Sequence, residues 1–228
     1  MWIKICANTN LEDAQLAANL GADAVGFVFA PSPRQVTAAQ VAQITPHLPT
    51  HVERIGVFPA LEAEEIARIA RQAGLTAVQL HGGVSHTLVQ QLHELFQVGI
   101  KQDRIAIIQT LHWQIDADTT SAATLAEHLK TSAANGLVDR VLIDSKVGTS
   151  TGGTGIAFDW TAARATLAEV GPGLKLIIAG GLRPDNVADA IHKLAPWGVD
   201  VASGVEQSPG HKSPEKLTAF IHTARHST

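Results

Sequence analysis

The sequence predicts a single (β/α)8 TIM barrel spanning residues 1–228. Three observations carry that prediction. Short β-branched runs alternate with helical patterns eight times along the chain, which is the signature of strand–helix units around a parallel sheet. The runs are near-continuously apolar, as strands covered on both faces should be. Eight such units in 228 residues fit one closed barrel, which takes roughly 200 to 250 residues. The structural rival is an open doubly wound sheet, and no G-x-G-x-x-G follows the first run, where a dinucleotide fold would need its phosphate turn.

The expected strands are 2–6, 23–29, 52–58, 76–80, 104–109, 139–144, 174–179 and 199–202. Between them, residues 11–20 place Leu11, Ala14, Ala18 and Leu20 near one helix face, with Asn10 as N-cap. Residues 37–45 form the weakest helix, beginning at Thr37 and stopping before Pro46. Residues 61–73 repeat the amphipathic pattern with Leu61, Ile66, Ile69 and Ala70, and 86–96, 120–133, 158–168, 184–194 and 213–225 follow suit.

Composition narrows the function. Hydrophobic residues make up 45% of the chain and charged ones 17%, enough apolar material for a sizeable core. Seventeen basic against 21 acidic residues, without a Lys/Arg cluster, argue against nucleic acid or an anionic membrane as partner and leave small-molecule chemistry. The N-terminus lacks a signal-peptide pattern and no 18-residue apolar run occurs, so the expected location is the cytosol. A single cysteine excludes an internal disulfide, and a reducing compartment would keep its thiol usable. No G-x-S-x-G, H-E-x-x-H, Walker A or C-x-x-C pattern is present. Pro46 and Pro49 break any helix that would bring His47 and His51 onto one face, and His222 and His226 have no third partner, so no metal site is expected.

That cysteine, Cys6, ends the run Trp2-Ile3-Lys4-Ile5, and Asp144 ends Val141-Leu142-Ile143. On strands of one parallel barrel, thiol and carboxylate would meet at the carboxyl-end mouth, where an acid–base pair works. The bland alternatives are a small buried hydrophobe for Cys6, and a turn cap or partner of Lys146 for Asp144. Glycine clusters follow the sixth, seventh and eighth strands: Gly152-Gly153-Thr154-Gly155, Gly180-Gly181 and Ser203-Gly204. Glycine lets backbone N–H groups approach an anion, and barrel loops after strands seven and eight often hold a phosphate beside a short extra helix. Three such clusters point to a phosphorylated substrate, and the segment from Gly204 to Gly210 has room for that helix.

The stretches Lys4-Ile5-Cys6, Thr9 to Ala14, Gly21 to Phe29, the proline-rich loop ending in Arg34 and Val78-Gln79-Leu80-His81-Gly82 resemble phosphoribosylanthranilate isomerase, a tryptophan-pathway family. The resemblance runs on through Leu142 to Lys146, Gly152 to Gly155 with Phe158-Asp159-Trp160, Ala179-Gly180-Gly181-Leu182 with Pro184 to Val187, and Val199 to Glu206. It implies a barrel of the ribulose-phosphate-binding type that isomerises N-(5′-phosphoribosyl)anthranilate by an Amadori rearrangement, without cofactor or metal, as monomer or homodimer. It implies Asp144 as general acid and Cys6 as general base, Arg34 on the anthranilate carboxylate, and His81, Gly155, Gly180, Gly181, Ser203 and Gly204 as further substrate contacts. The alternatives are a phosphate-ligand-binding barrel with lost or altered catalysis, or a related sugar-phosphate isomerase or epimerase. Lys4, two residues before Cys6, would share its strand face.

The chain departs from the family pattern at Ala7 and Asn8, where glycine and an apolar residue are usual, at Gln35 in place of an aromatic, and at Gln109 in place of a lysine. The stretch 116–135 reads as an enlarged fifth loop and helix. The expected backbone at Ala7 is an ordinary extended one, which alanine adopts without strain.

Overall fold

The computed structural model describes residues 1–83, 85–97, 104–114, 120–146, 164 and 173–227. Eight parallel strands close into a barrel in sequence order: β1 (Trp2–Ile5), β2 (Ala24–Val28), β3 (Glu53–Phe58), β4 (Ala77–Leu80), β5 (Ala106–Gln114), β6 (Arg140–Lys146), β7 (Leu176–Ile178) and β8 (Gly198–Val201). Closure is made by β1 against β8, with Lys4 opposite Asp200 and Ile5 opposite Val201. The described helices are α1 (Leu11–Asn19), α2 (Ala38–Ile44), α3 (Ala63–Gln72), α4 (His86–Gln97), α5 (Thr120–Asn135), α6 (Val187–Leu194) and α7 (Pro214–His226). The expected helix over 158–168 and the cluster from Gly152 to Gly155 lie outside the described residues.

Local chemistry sets the helix starts. Asn10 caps α1 by accepting from the Asp13 amide at 2.8 Å. Thr37 and Gln40 form a reciprocal capping box on α2. The α-helix ends at Ile44 as expected, but a 3-10 turn continues over Thr45–His47 and takes in Pro46.

The two-residue period of each strand divides the core. Outward residues such as Ile3, Ile5, Phe27, Ile107 and Ile143 pack against the helices. The inward set is smaller: Ala24, Ile55, Ala77, Ile108, Leu142, Ile177 and Ala179. The amino-terminal end of the lumen is plugged by Arg140, whose guanidinium lies 5.0 and 5.1 Å from the Trp2 and Trp197 rings and 2.7 Å from Glu53.

Two expectations need correction. The fifth strand does not stop at Gln109; it pairs with β6 as far as Gln114 opposite Lys146. Gln109 has the outward parity of Ile107 and Leu111 and donates to the Gly83 carbonyl at 3.2 Å, so this departure lies outside the lumen. The segment after Gly204 forms no extra α-helix. A 3-10 turn at Ser203–Val205 leads into a hairpin of β9 (Glu206–Ser208) and β10 (His211–Lys212). Its Pro209-Gly210 corner, with φ +82° at Gly210, supplies the proline and left-handed glycine of a type II turn.

Candidate active site

Cys6 follows directly on β1, its amide bonded to the Val201 carbonyl at 2.8 Å, and it is buried among Ala7, Val57, Val28 and Ala202. Asp144 lies within β6, also buried, opposite His112 of β5. Around the barrel, β7 and β8 occupy the shorter arc between Cys6 and Asp144. The loops of that arc carry the glycines: Gly180 and Gly181 at φ +82° and +67°, and Ser203-Gly204 in the 3-10 turn. Together with Asp144 and Asp200 these four residues line a cavity of about 70 Å³. At roughly 10–15 Å³ per enclosed water, that is room for several waters or one phosphoryl group.

The two loops meet too closely for any side chain at 204, because a Cβ there would lie 1.9 Å from the Leu182 carbonyl oxygen. Asn186 fixes the first loop, donating to the Gly181 carbonyl at 2.9 Å and accepting from the Arg183 amide at 2.7 Å. His81 follows β4 at the same mouth, its ring edge-on to His112 with centroids 5.0 Å apart. The described residues thus bring Cys6, Asp144, His81, Gly180, Gly181, Ser203 and Gly204 to one end of the barrel. Gly155 lies outside them.

Arg34 reaches this end as well, but engaged. Its Nε and Nη2 grip Glu206 in a fork at 2.7–3.1 Å, leaving the opposite edge of the guanidinium for another carboxylate. Glu206 also contacts Lys212, whose fully buried ammonium donates to the Cys6 carbonyl at 2.6 Å and the Ala202 carbonyl at 3.2 Å. Burial opposes charge on Glu206, but the Arg34 hydrogen bonds and Lys212 hold its pKa below the usual glutamate range. Burial pushes the Lys212 pKa down despite Glu206.

Lys4 lies on the lumenal face below Cys6, as its strand parity implies. Its ammonium donates to Gln79 at 2.9 Å and Asp200 at 3.1 Å, and Gln79 donates on to Thr110 at 3.2 Å. Burial pushes the Cys6 thiol pKa up, Asp200 adds to that, and Lys4 and Lys212 pull it back. Sequence reasoning missed Lys212, Glu206, Gln79 and Asp200 as site components. Gln79 and Asp200 did leave a signal: each is a polar residue at inward parity in an otherwise apolar strand.

Ala7 contradicts the expected extended backbone. Its φ is +62°, in the left-handed region where glycine is at ease. The buried Asn8 amide donates to the Ile5 carbonyl at 2.8 Å and the Gly26 carbonyl at 3.2 Å, tying this turn to β1 and β2. Gly26 was also missed: a Cβ there would come within 2.9 Å of the Cys6 sulfur.

A closed parallel barrel whose thiol, carboxylates and glycine loops gather at the carboxyl ends of its strands has the layout of a (β/α)8-barrel enzyme. The chain belongs to the N-(5′-phosphoribosyl)anthranilate (PRA) isomerase family, whose model matches residues 3–223. It is 40% identical over 224 residues to the N-(5′-phosphoribosyl)anthranilate isomerase of Citrifermentans bemidjiense, covering 98% of this chain and 96% of that one. The crystal structure of the Thermotoga maritima phosphoribosyl anthranilate isomerase superposes with a TM-score of 0.82 at 33% identity, over 99% of this chain and 98% of that one. A phosphoribosyl anthranilate isomerase in complex with reduced 1-(o-carboxyphenylamino)-1-deoxyribulose 5-phosphate gives 0.79 at 32%, with coverage of 99% and 98%. Among the described residues, no group of three or more His, Cys, Asp or Glu could hold a metal ion, and no helix is long and apolar enough to cross a membrane.

Proposed function

We propose that this chain converts N-(5′-phosphoribosyl)anthranilate to 1-(2-carboxyphenylamino)-1-deoxyribulose 5-phosphate, the isomerisation named by its relatives and a step of tryptophan biosynthesis, in the cytosol. The observation that carries the reading is the placing of Cys6 and Asp144 on either side of the β7–β8 arc, whose glycine loops and Asp144 enclose a phosphoryl-sized cavity. A 5′-phosphate seated there leaves the ribose spanning the mouth between the two groups.

Asp144, protonated, gives its proton to the furanose oxygen as the ring opens to a Schiff base. The Cys6 thiolate takes the C2′ proton, the electron pair of that C–H bond flows into the C2′–C1′ linkage, and the enolamine tautomerises to the ketose. Arg34 meets the anthranilate carboxylate with the edge of its fork that Glu206 leaves over. No step calls for a metal or a redox cofactor.

The test is loss of phosphoribosylanthranilate fluorescence with the purified protein. Wild type should turn it over, while Cys6→Ser and Asp144→Asn each lose turnover by orders of magnitude and still bind inorganic phosphate. Near-normal turnover in either variant removes that residue from the mechanism. Phosphate binding without turnover in the wild type would make the chain a ligand-binding barrel instead.

A further inference from the structure

The proton transfers above make no use of Lys4, although it is fully buried. An isolated ammonium in such a place is strongly disfavoured, so its partners account for it. Two are oxygens, Gln79 Oε1 at 2.9 Å and Asp200 Oδ1 at 3.1 Å. The third neighbour is the thiol. A Cβ on Gly26 would lie 2.9 Å from the Cys6 sulfur and 3.0 Å from Lys4 Cε, so sulfur and lysine stem converge on the space that this glycine leaves open. Burial raises the thiol pKa, and the nearby ammonium acts on the sulfur as a positive charge that pulls it back.

The charged groups around that sulfur are unbalanced. Lys4 comes from β1, Lys212 from the hairpin and Arg34 from the loop after β2; against these three cations stand Asp200 of β8 and Glu206. Across the mouth stand His81 after β4, His112 on β5 and Asp144 on β6, the last protonated in the reaction proposed above. The cluster beside Cys6 therefore carries one positive charge in excess, which a thiolate would neutralise. Although burial lowers the Lys4 pKa, Asp200 and Cys6 together outweigh it, so the ammonium keeps its proton while the sulfur gains and loses one.

The geometry points to Lys4 as the positioning residue of the base: its buried ammonium stabilises the Cys6 thiolate that accepts the C2′ proton, and Asp200 on the adjoining strand limits how strongly it does so. This rests on Cys6 being the base, and the test separates the two claims.

The chain has one cysteine and no tyrosine, so the ultraviolet absorbance of thiolate reports Cys6 alone, without tyrosinate beneath it. Lys4→Met keeps the stem and removes the charge. Its thiolate titration should move to higher pH by about one unit or more. The rising limb of kcat/KM should move with it, kcat at neutral pH should fall tenfold or more, and Lys4→Arg should restore part of both. Asp200→Asn should shift the titration the opposite way, to lower pH, which general disruption of the barrel would not do. If Lys4→Met fails to fold, the sign of the Asp200→Asn shift decides alone. Titrations that stay at the wild-type position, or move together in one direction, overturn the role of Lys4. Near-normal turnover in Cys6→Ser overturns the base itself, whatever the titrations show.

Discussion

At the scale of single residues, the turn after Cys6 departs most from expectation. Ala7 holds φ +62°, although its position beside an apolar strand reads as extended. The departure from glycine was legible in the sequence, but its conformational consequence was not, because alanine by itself signals nothing about handedness. Left-handed backbone costs a non-glycine residue about 1–2 kcal/mol. Replacement by glycine also costs about 0.4–1 kcal/mol through unfolded-chain freedom. Ala7→Gly should therefore raise stability by about 0.5–1 kcal/mol in chemical denaturation, the difference of those two costs. A loss of stability would mean that the Asn8 hydrogen bonds to Ile5 and Gly26 already relieve the strain. Gly26→Ala is predicted to act on rate: the new methyl meets sulfur at 2.9 Å and displaces it from the proton it is proposed to accept. Misplacement by about 1 Å can cost on the order of a hundredfold in rate. Unchanged kcat in a folded Gly26→Ala protein would show that the thiol has slack.

At the scale of elements, the strands were readable because burial on both faces makes them continuous apolar runs, and β5 shows where that rule stops. Beyond Gln109, outward Leu111 and Trp113 alternate with the inward polar side chains of Thr110 and His112, since the lumen near the mouth is a polar site rather than a core. The outward Gln109, with polar Thr110 next to it, interrupts the apolar run and reads as a strand end. The β9–β10 hairpin was missed for a different reason: its anchoring is tertiary. Thr9 donates to the Gly210 carbonyl at 2.5 Å, the Lys212 amide donates to Asp13 at 2.9 Å, and Arg34 grips Glu206, none of which has a local signature. Because the folded-state pKa of Glu206 is depressed, the stability it contributes is present above the ordinary glutamate pKa and is lost as pH falls through the folded value. Thermal unfolding followed down the acid range should show a shallower decline in Glu206→Gln than in wild type. Parallel curves would remove Glu206 from the acid limb. If Arg34 also holds the anthranilate carboxylate, as proposed, Arg34→Ala should weaken substrate far more than inorganic phosphate, with equal losses refuting that place.

At the scale of the whole molecule, eight alternations in 228 residues were enough to read the closed barrel, and motif order was enough to place Cys6 and Asp144 at its mouth. What the sequence hid was the filling of the lumen, where charged side chains from distant strands meet only after closure. Arg140 is the example at the amino-terminal end, held by Glu53 and by two indole rings. Arg140→Met should cost about 1–3 kcal/mol, the range for leaving a partly buried polar partner unsatisfied, and leave kcat intact. A fall in kcat at preserved fold would couple the plug to the mouth. The same long-range closure orders the making of the enzyme. Lys212 holds the Cys6 carbonyl from 206 residues away, and Asp200 holds Lys4 from 196. A ribosome has therefore delivered nearly the whole chain before the sixth residue acquires the surroundings that its proposed role as base requires, and a polypeptide interrupted before the hairpin could form most of its strands while remaining chemically mute.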